Sequence, residues 1–208
     1  RTLDQERFYR LLREAASKNR IRILRFWRET GLTVEDVRDS EALRTAAGRD
    51  HFDVIRYFVD EMGLTVEDVR DSGALGTVTY SGRLDIIRYL VEIGMTVEDL
   101  RAIDALRITV IYNRLNIIRY FVQIGMTLED LRDNEALRTA ATNGRLDIIR
   151  YLVEIGMTVE DVRDSNALRF AVIYGRLDII RYFVEMGLTV EDVRDSEALR
   201  FAAEGGYL

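Results

Sequence analysis

Residues 156–186 read GMTVEDVRDSNALRFAVIYGRLDIIRYFVEM, and this phrase recurs along the whole chain. Gly31, Gly63, Gly94, Gly125, Gly156 and Gly187 each open the same words, G-[LM]-T-[VL]-E-D-[VL]-R, at spacings of 32, 31, 31, 31 and 31 residues. A fixed period of this size marks stacked supersecondary units that cannot bury their apolar faces alone. Two helices are predicted per unit. The second, LDIIRYFVEM, places Ile179, Ile180, Phe183 and Val184 at helical spacing on one buried stripe. Its outer side carries Asp178, Arg181 and Glu185 at i, i+3 and i, i+4 spacing. Gly187 follows as a stop that tolerates positive φ.

The first helix runs over ALRFAVIY-like segments, short and rich in Ala and Leu. A Ser or Asn just before it (Ser40, Ser72, Asn134, Ser165, Ser196) is placed to cap its free amides, with Asp104 standing in where Ile103 interrupts the column. In the connector TVEDVRDS, Thr189 and Asp192 resemble a capping box, and Val190 and Val193 stand three apart. One helical turn is predicted there, not a β-hairpin. The extra residue of the second unit lies in DEM, between Tyr57 and Gly63, where a loop at the helix end is expected to absorb it. REAASKNRIRILRFWRETG, residues 13–31, overlays RTAATNGRLDIIRYLVEIG, residues 138–156, so the N-terminal segment belongs to the series. The predicted organisation is one array over 1–208. It holds an N-terminal capping repeat over 1–30, five units over 31–196 and an incomplete repeat over 197–208, all of it all-α or nearly so.

This pattern resembles the ankyrin repeat family. The family phrase TPLHxAAxxGHxxIVxxLLxxGAD maps onto NALRFAVIYGRLDIIRYFVEMGLT, with the Ala140-Ala141 and Ala202-Ala203 pairs and the step from Gly175 to Gly187 in register. The 31-residue ALR/GRLDIIRY variant is similar to arrays of giant DNA viruses. Three departures stand out: Glu/Asn-Ala-Leu-Arg replaces Thr-Pro-Leu-His, Gly175-Arg176 replaces glycine–histidine, and the period is two residues short. The missing residues fall where the family projects a β-hairpin, so the hairpins are expected to be shortened or replaced by a helical turn. The resemblance implies an α-solenoid that binds a protein partner through its concave first-helix face. The near-identity of the units also suits a structural or consensus-designed scaffold without a natural partner, able to self-associate.

Composition narrows the chemistry. The chain has no cysteine and one histidine, His51, which removes thiol catalysis and Cys-based metal sites and leaves little for a His-based one. Net charge is −6, against a nucleic-acid partner. No apolar run approaches the ~18 residues a membrane span needs. The charged first twenty residues do not read as a signal peptide. Lys18 is the only lysine among 30 basic residues. The expectation is a protein of the cytoplasm or nucleus, with no enzyme activity, no cofactor, no metal and no membrane partner, existing as a monomer or weak homodimer.

Positions that vary between units are the candidates for recognition. They concentrate on the first helix and the turn after it: Ile108, Ile111 and Tyr112 in one unit, Phe170, Ile173 and Tyr174 in another, flanked by Tyr80 and Phe201. Exposed apolar and aromatic clusters mark interaction sites. The same residues would serve equally to fill packing thinned by the short connector. An arginine column (Arg13, Arg44, Arg107, Arg138, Arg169, Arg200) reads as an anion ladder or as inter-repeat pairing with acids such as Asp164 or Glu160. The unit 156–186 carries five acids against four arginines, which favours pairing. The Tyr57, Tyr89, Tyr120, Tyr151, Tyr182 column is expected to pack between repeats with its hydroxyls at the surface, and His51 to be a surface turn residue.

Overall fold

A computed structural model describes residues 3–133 and 135–195. Asn134, Ser196, Phe201 and the incomplete repeat at 197–208 lie outside them. Among the described residues every regular element is helical and no strand occurs. The chain divides into two compact units, Arg1–Ile103 and Asp104–Leu208. Each is an all-α stack of helix pairs.

Three helices recur in each repeat. First helices include Leu3–Ser17, Ala42–Gly48 and Ala74–Ser81 in one unit, and Ala105–Ile111, Ala136–Asn143 and Ala167–Ile173 in the other. Within each unit they pack side by side in chain order. Alanines permit the close approach: Ala42, Ala46, Ala47, Ala136, Ala140 and Ala141 are all buried. Second helices such as Leu84–Glu92 and Leu146–Glu154 pack against the first helix of their own repeat. Ile86, Ile87 and Leu90 are fully buried there, as are Ile148, Ile149 and Leu152. Each such side chain contributes about 1.5–3 kcal/mol by leaving water.

The connector is the predicted helical turn, six residues long in each repeat, as in Val34–Asp39 and Val159–Asp164. Thr158 lies in extended backbone and its hydroxyl accepts from the Asp161 N–H at 3.4 Å, while the Thr158 N–H donates to Asp161 Oδ2 at 2.7 Å. The same reciprocal pair forms at Thr33/Asp36, Thr65/Asp68 and Thr96/Asp99. Its one apolar inward residue, Val37, Val69, Leu100, Leu131 or Val162, is buried. Before each connector stands a glycine at positive φ. At Gly156, φ is +117°, and an added Cβ would lie 3.1 Å from Leu128 Cδ1, so both backbone and space require glycine.

Two expectations are corrected. The Ser residues do not act uniformly as caps. Ser40 and Ser165 donate back to the Val37 and Val162 carbonyls at 3.0 and 3.2 Å. Ser72 donates likewise to Val69 and also accepts from the Ala74 N–H at 3.1 Å. The residue between Ser and helix adopts the left-handed region, as Glu41, Gly73, Glu135 and Asn166 do, which turns the chain before the helix begins. Asp104 shares that conformation, makes no cap bond and binds Arg107 instead. The extra residue of the second repeat is not absorbed by a loop. The helix Phe52–Arg56 continues as a π-helical turn, Tyr57–Glu61, which takes up the added residue inside the helix.

Candidate interaction surface

In the 104–208 unit, the first helices Ala105–Ile111 and Ala167–Ile173 both end at a tyrosine. Tyr112 and Tyr174 occupy the C-cap positions, their N–H groups donating to the Ile108 and Phe170 carbonyls at 3.1 and 3.0 Å. Both rings stand at the surface, 41% and 45% exposed. One turn earlier Ile108 and Phe170 are half-buried, as are Ile111 and Ile173 immediately before the tyrosines. Phe170 and Tyr174 stack with centroids 6.5 Å apart and planes 13° from parallel. The Arg138 guanidinium lies 5.5 Å from the Phe170 centroid. Between these helices, Ala136–Asn143 offers half-buried Thr139, Thr142 and Asn143. Thr142 and Asn143 turn their side chains onto the Arg138 and Thr139 carbonyls, at 2.8 Å each. Two apolar-aromatic turns therefore flank a small polar one. In the 1–103 unit, Tyr80 is 56% exposed on Ala74–Ser81. Phe201 lies outside the described residues.

Burial separates the candidates from the packing columns. The helix-facing positions beside them, Ala105, Leu106, Thr109 and Val110, are fully or almost fully buried. The tyrosines stand beside these buried positions and stay exposed themselves.

At four positions of the arginine column the partners are not the connector acids Asp164 or Glu160. Arg44, Arg107 and Arg138 bind the acid three residues earlier, Glu41, Asp104 and Glu135. Arg13 donates to the Ser40 carbonyl of the next repeat at 3.2 Å. Pairing between repeats falls to a different arginine, that of the connector. Arg70 binds Asp99 at 2.6 Å, Arg132 binds Asp161 at 2.5 Å and Arg163 binds Asp192 at 2.7 Å. Arg38 binds Asp68 in the same way. The bonded arginine holds the Asp99 and Asp161 carboxyls below the usual carboxylate range, against the opposing effect of partial burial. The threonine bonds of the capping box add to the lowering. The signal was in the sequence as an R and a D repeated in every TVEDVRD.

The Tyr column packs between repeats, but its hydroxyls are not simply at the surface. The Tyr57 hydroxyl is enclosed. Tyr89 donates to Asp60 of the preceding repeat at 2.7 Å. Burial first, and then that carboxylate, raise the Tyr89 pKa well above its ordinary value. Over four of these rings sits an arginine of the preceding repeat: Arg25 on Tyr57 at 5.7 Å, Arg56 on Tyr89 at 5.9 Å, Arg119 on Tyr151 at 4.4 Å, Arg150 on Tyr182 at 5.5 Å. Outer-face ion pairs also cross repeats, Arg25 with Glu61 and Arg119 with Glu154, although Arg56 keeps the predicted i, i+4 partner Asp60. His51 is more than a surface turn residue. It is half-buried, with Nε2 2.8 Å from the Ser17 carbonyl of the preceding repeat. Arg145 and Arg176 fill that place later and donate to the Ile111 and Thr142 carbonyls.

Grooves occur where connectors meet. One of about 340 Å³ is lined by Leu131, Arg132, Glu135, Met157, Asp161 and Ser165 among others. Counterparts recur beside Arg163/Asp192 and Arg38/Asp68. They are products of the repeat and lie on the ion-paired side, away from the tyrosines. Among the described residues no three His, Asp or Glu side chains are grouped to hold a metal ion, and no helix is long and apolar enough to cross a membrane.

No protein-family model and no curated protein matches this chain.

Proposed function

We propose that the chain is a non-catalytic binding module that takes a protein partner on the first-helix face of the 104–208 unit. The observation that carries this reading is the pair of surface tyrosines, Tyr112 and Tyr174, each on a helix with half-buried apolar residues and beside buried alanine and leucine. Tyrosine on an apolar bed, with a polar strip between, is the composition of a protein-binding hot spot. The array type we propose is ankyrin-like, with its hairpin replaced by the connector helix. The alternation of an alanine-rich first helix, a longer second helix and a positive-φ glycine supports that assignment.

The test is a binder selected against the wild-type chain and mapped with Tyr112→Ser/Tyr174→Ser. The variant is expected to retain cooperative unfolding and to lose at least tenfold in affinity. Unchanged affinity for every binder recovered would move the site elsewhere.

A further inference from the structure

The tyrosine face is basic in an acidic chain. The first helices of the 104–208 unit with the turns that follow them, residues 105–114, 136–145 and 167–176, carry six arginines and no Asp or Glu, while the whole chain stands at −6. Arg107 and Arg138, at the start of their helices, are offset by Asp104 and Glu135. Two arginines of the turns, Arg145 and Arg176, are not offset.

Arg83 shows what an arginine in this turn does when acids are within reach. In the 1–103 unit it binds Asp50 of the preceding repeat, and also Asp85 at 2.9 Å. In the 104–208 unit the place of Asp50 is neutral: Asn113 stands there for Arg145, and Gly144 for Arg176. Asp147 and Asp178, two residues on from these arginines, form no ion pair with them. Asp147 instead meets the Asn113 amide, turned to donate, at 3.1 Å. Arg145 donates to the Ile111 carbonyl at 2.8 Å, and Arg176 donates to the Thr142 carbonyl at 3.3 and 3.1 Å. A carbonyl fixes a guanidinium in place and leaves its charge standing. Both side chains are half-buried, and the Nε of Arg145 is enclosed without an acceptor. A cation partly removed from water and without a counterion gains more from an arriving anion than a solvated one does. Both cations are anchored on the tyrosine face, Arg145 at the carbonyl just before Tyr112 and Arg176 at the carbonyl just before Asn143.

We infer that the protein segment that docks on the tyrosine face is acidic. Its carboxylates meet the fork-shaped guanidiniums of Arg145 and Arg176, and its apolar side chains cover Tyr112 and Tyr174. The inference rests on the tyrosine-face reading and adds the chemistry of the partner to it.

The experiment selects a random displayed peptide library on the wild-type chain. The recovered peptides are then synthesised and titrated against wild type, Asn113→Asp and Tyr112→Ser/Tyr174→Ser. Asn113→Asp copies Asp50, which shares its left-handed backbone, and so gives Arg145 the counterion that Arg83 has. Circular dichroism verifies that each variant is folded. Recovered peptides are expected to combine Asp or Glu with apolar residues. Their affinity is expected to fall about threefold or more on raising the salt and by a similar factor in Asn113→Asp. It should fall further in the tyrosine variant. Neutral or basic peptides that lose affinity in the tyrosine variant overturn the inference and leave the tyrosine face standing. Acidic peptides that bind Asn113→Asp as tightly as wild type also overturn it, as does a library that yields no binder. Peptides indifferent to the tyrosine substitutions overturn the tyrosine face itself.

Discussion

The same substitution at two repeats separates burial from sequence. Ile23 and Ile86 hold equivalent places on second helices of one unit, yet Ile23 is 42% exposed and Ile86 is fully buried. Truncation to alanine removes three carbons, each worth ~0.8 kcal/mol of transfer free energy when buried. At Ile86 the full transfer term of ~2.4 kcal/mol applies, and the cavity left against Ile87 and Leu90 brings the loss to roughly 3–4 kcal/mol. At Ile23 a little over half of the transfer term applies, ~1.4 kcal/mol, with no closed cavity to add. Urea unfolding followed by circular dichroism gives the global loss. The single tryptophan, Trp27, packs edge-on to Phe8 at 5.8 Å and reports the first repeat through its fluorescence. Ile86→Ala is expected to cost at least twice what Ile23→Ala costs. Equal losses would mean that Ile23 is covered, and the reasoning from open and closed columns would fail.

Acid should loosen the connectors. Because Asp99 and Asp161 have folded pKa values below their unfolded ones, their contribution is present above an unfolded pKa of about 3.9 and is lost as pH falls through the folded value. Urea midpoints are expected to hold between pH 7 and 5 and to fall below about pH 4, with a shallower fall in Arg70→Gln/Arg132→Gln. Thr158→Ala breaks one capping box and is expected to cost about 1 kcal/mol, whereas Thr158→Ser, which keeps the hydroxyl acceptor, costs a few tenths. An undiminished Thr158→Ala midpoint would show that the connector holds by Val162 alone.

The helices were legible because three separate signals agree in every unit: a 3.6-residue stripe, a Thr–Asp box and a stop glycine. Thr158, Asp161 and Gly156 each behave as their local chemistry requires. What failed depended on backbone turns or on neighbours in space. The cap expected of Ser40 and Ser165 failed because their hydroxyls donate back to the Val37 and Val162 carbonyls, and a left-handed residue precedes each helix, which Gly73 and Asn166 announce and Glu41 does not. The π-helical turn at Tyr57–Glu61 was hidden because one extra residue has the same sequence signature in a loop and in a helix. The arginine assignments went astray for a further reason. A column of arginines says that a partner exists, while the structure shows that Arg138 finds Glu135 three residues earlier and Arg132 finds Asp161 in the next repeat. At the candidate surface, composition named the residues and could not rank them. Exposure now places Tyr80, Tyr112 and Tyr174 outermost, with the isoleucines and Phe170 beneath.

Hydroxyl-radical footprinting read by mass spectrometry tests the central claim most directly. The account predicts rapid oxidation of Tyr80, Tyr112 and Tyr174, with Tyr9, Tyr57 and Tyr151 protected. Tyr112 and Tyr174 should then become protected when a bound partner is added. Protection of Tyr112 and Tyr174 in the free chain, to the level of Tyr57, would make them packing residues and contradict the proposed binding face.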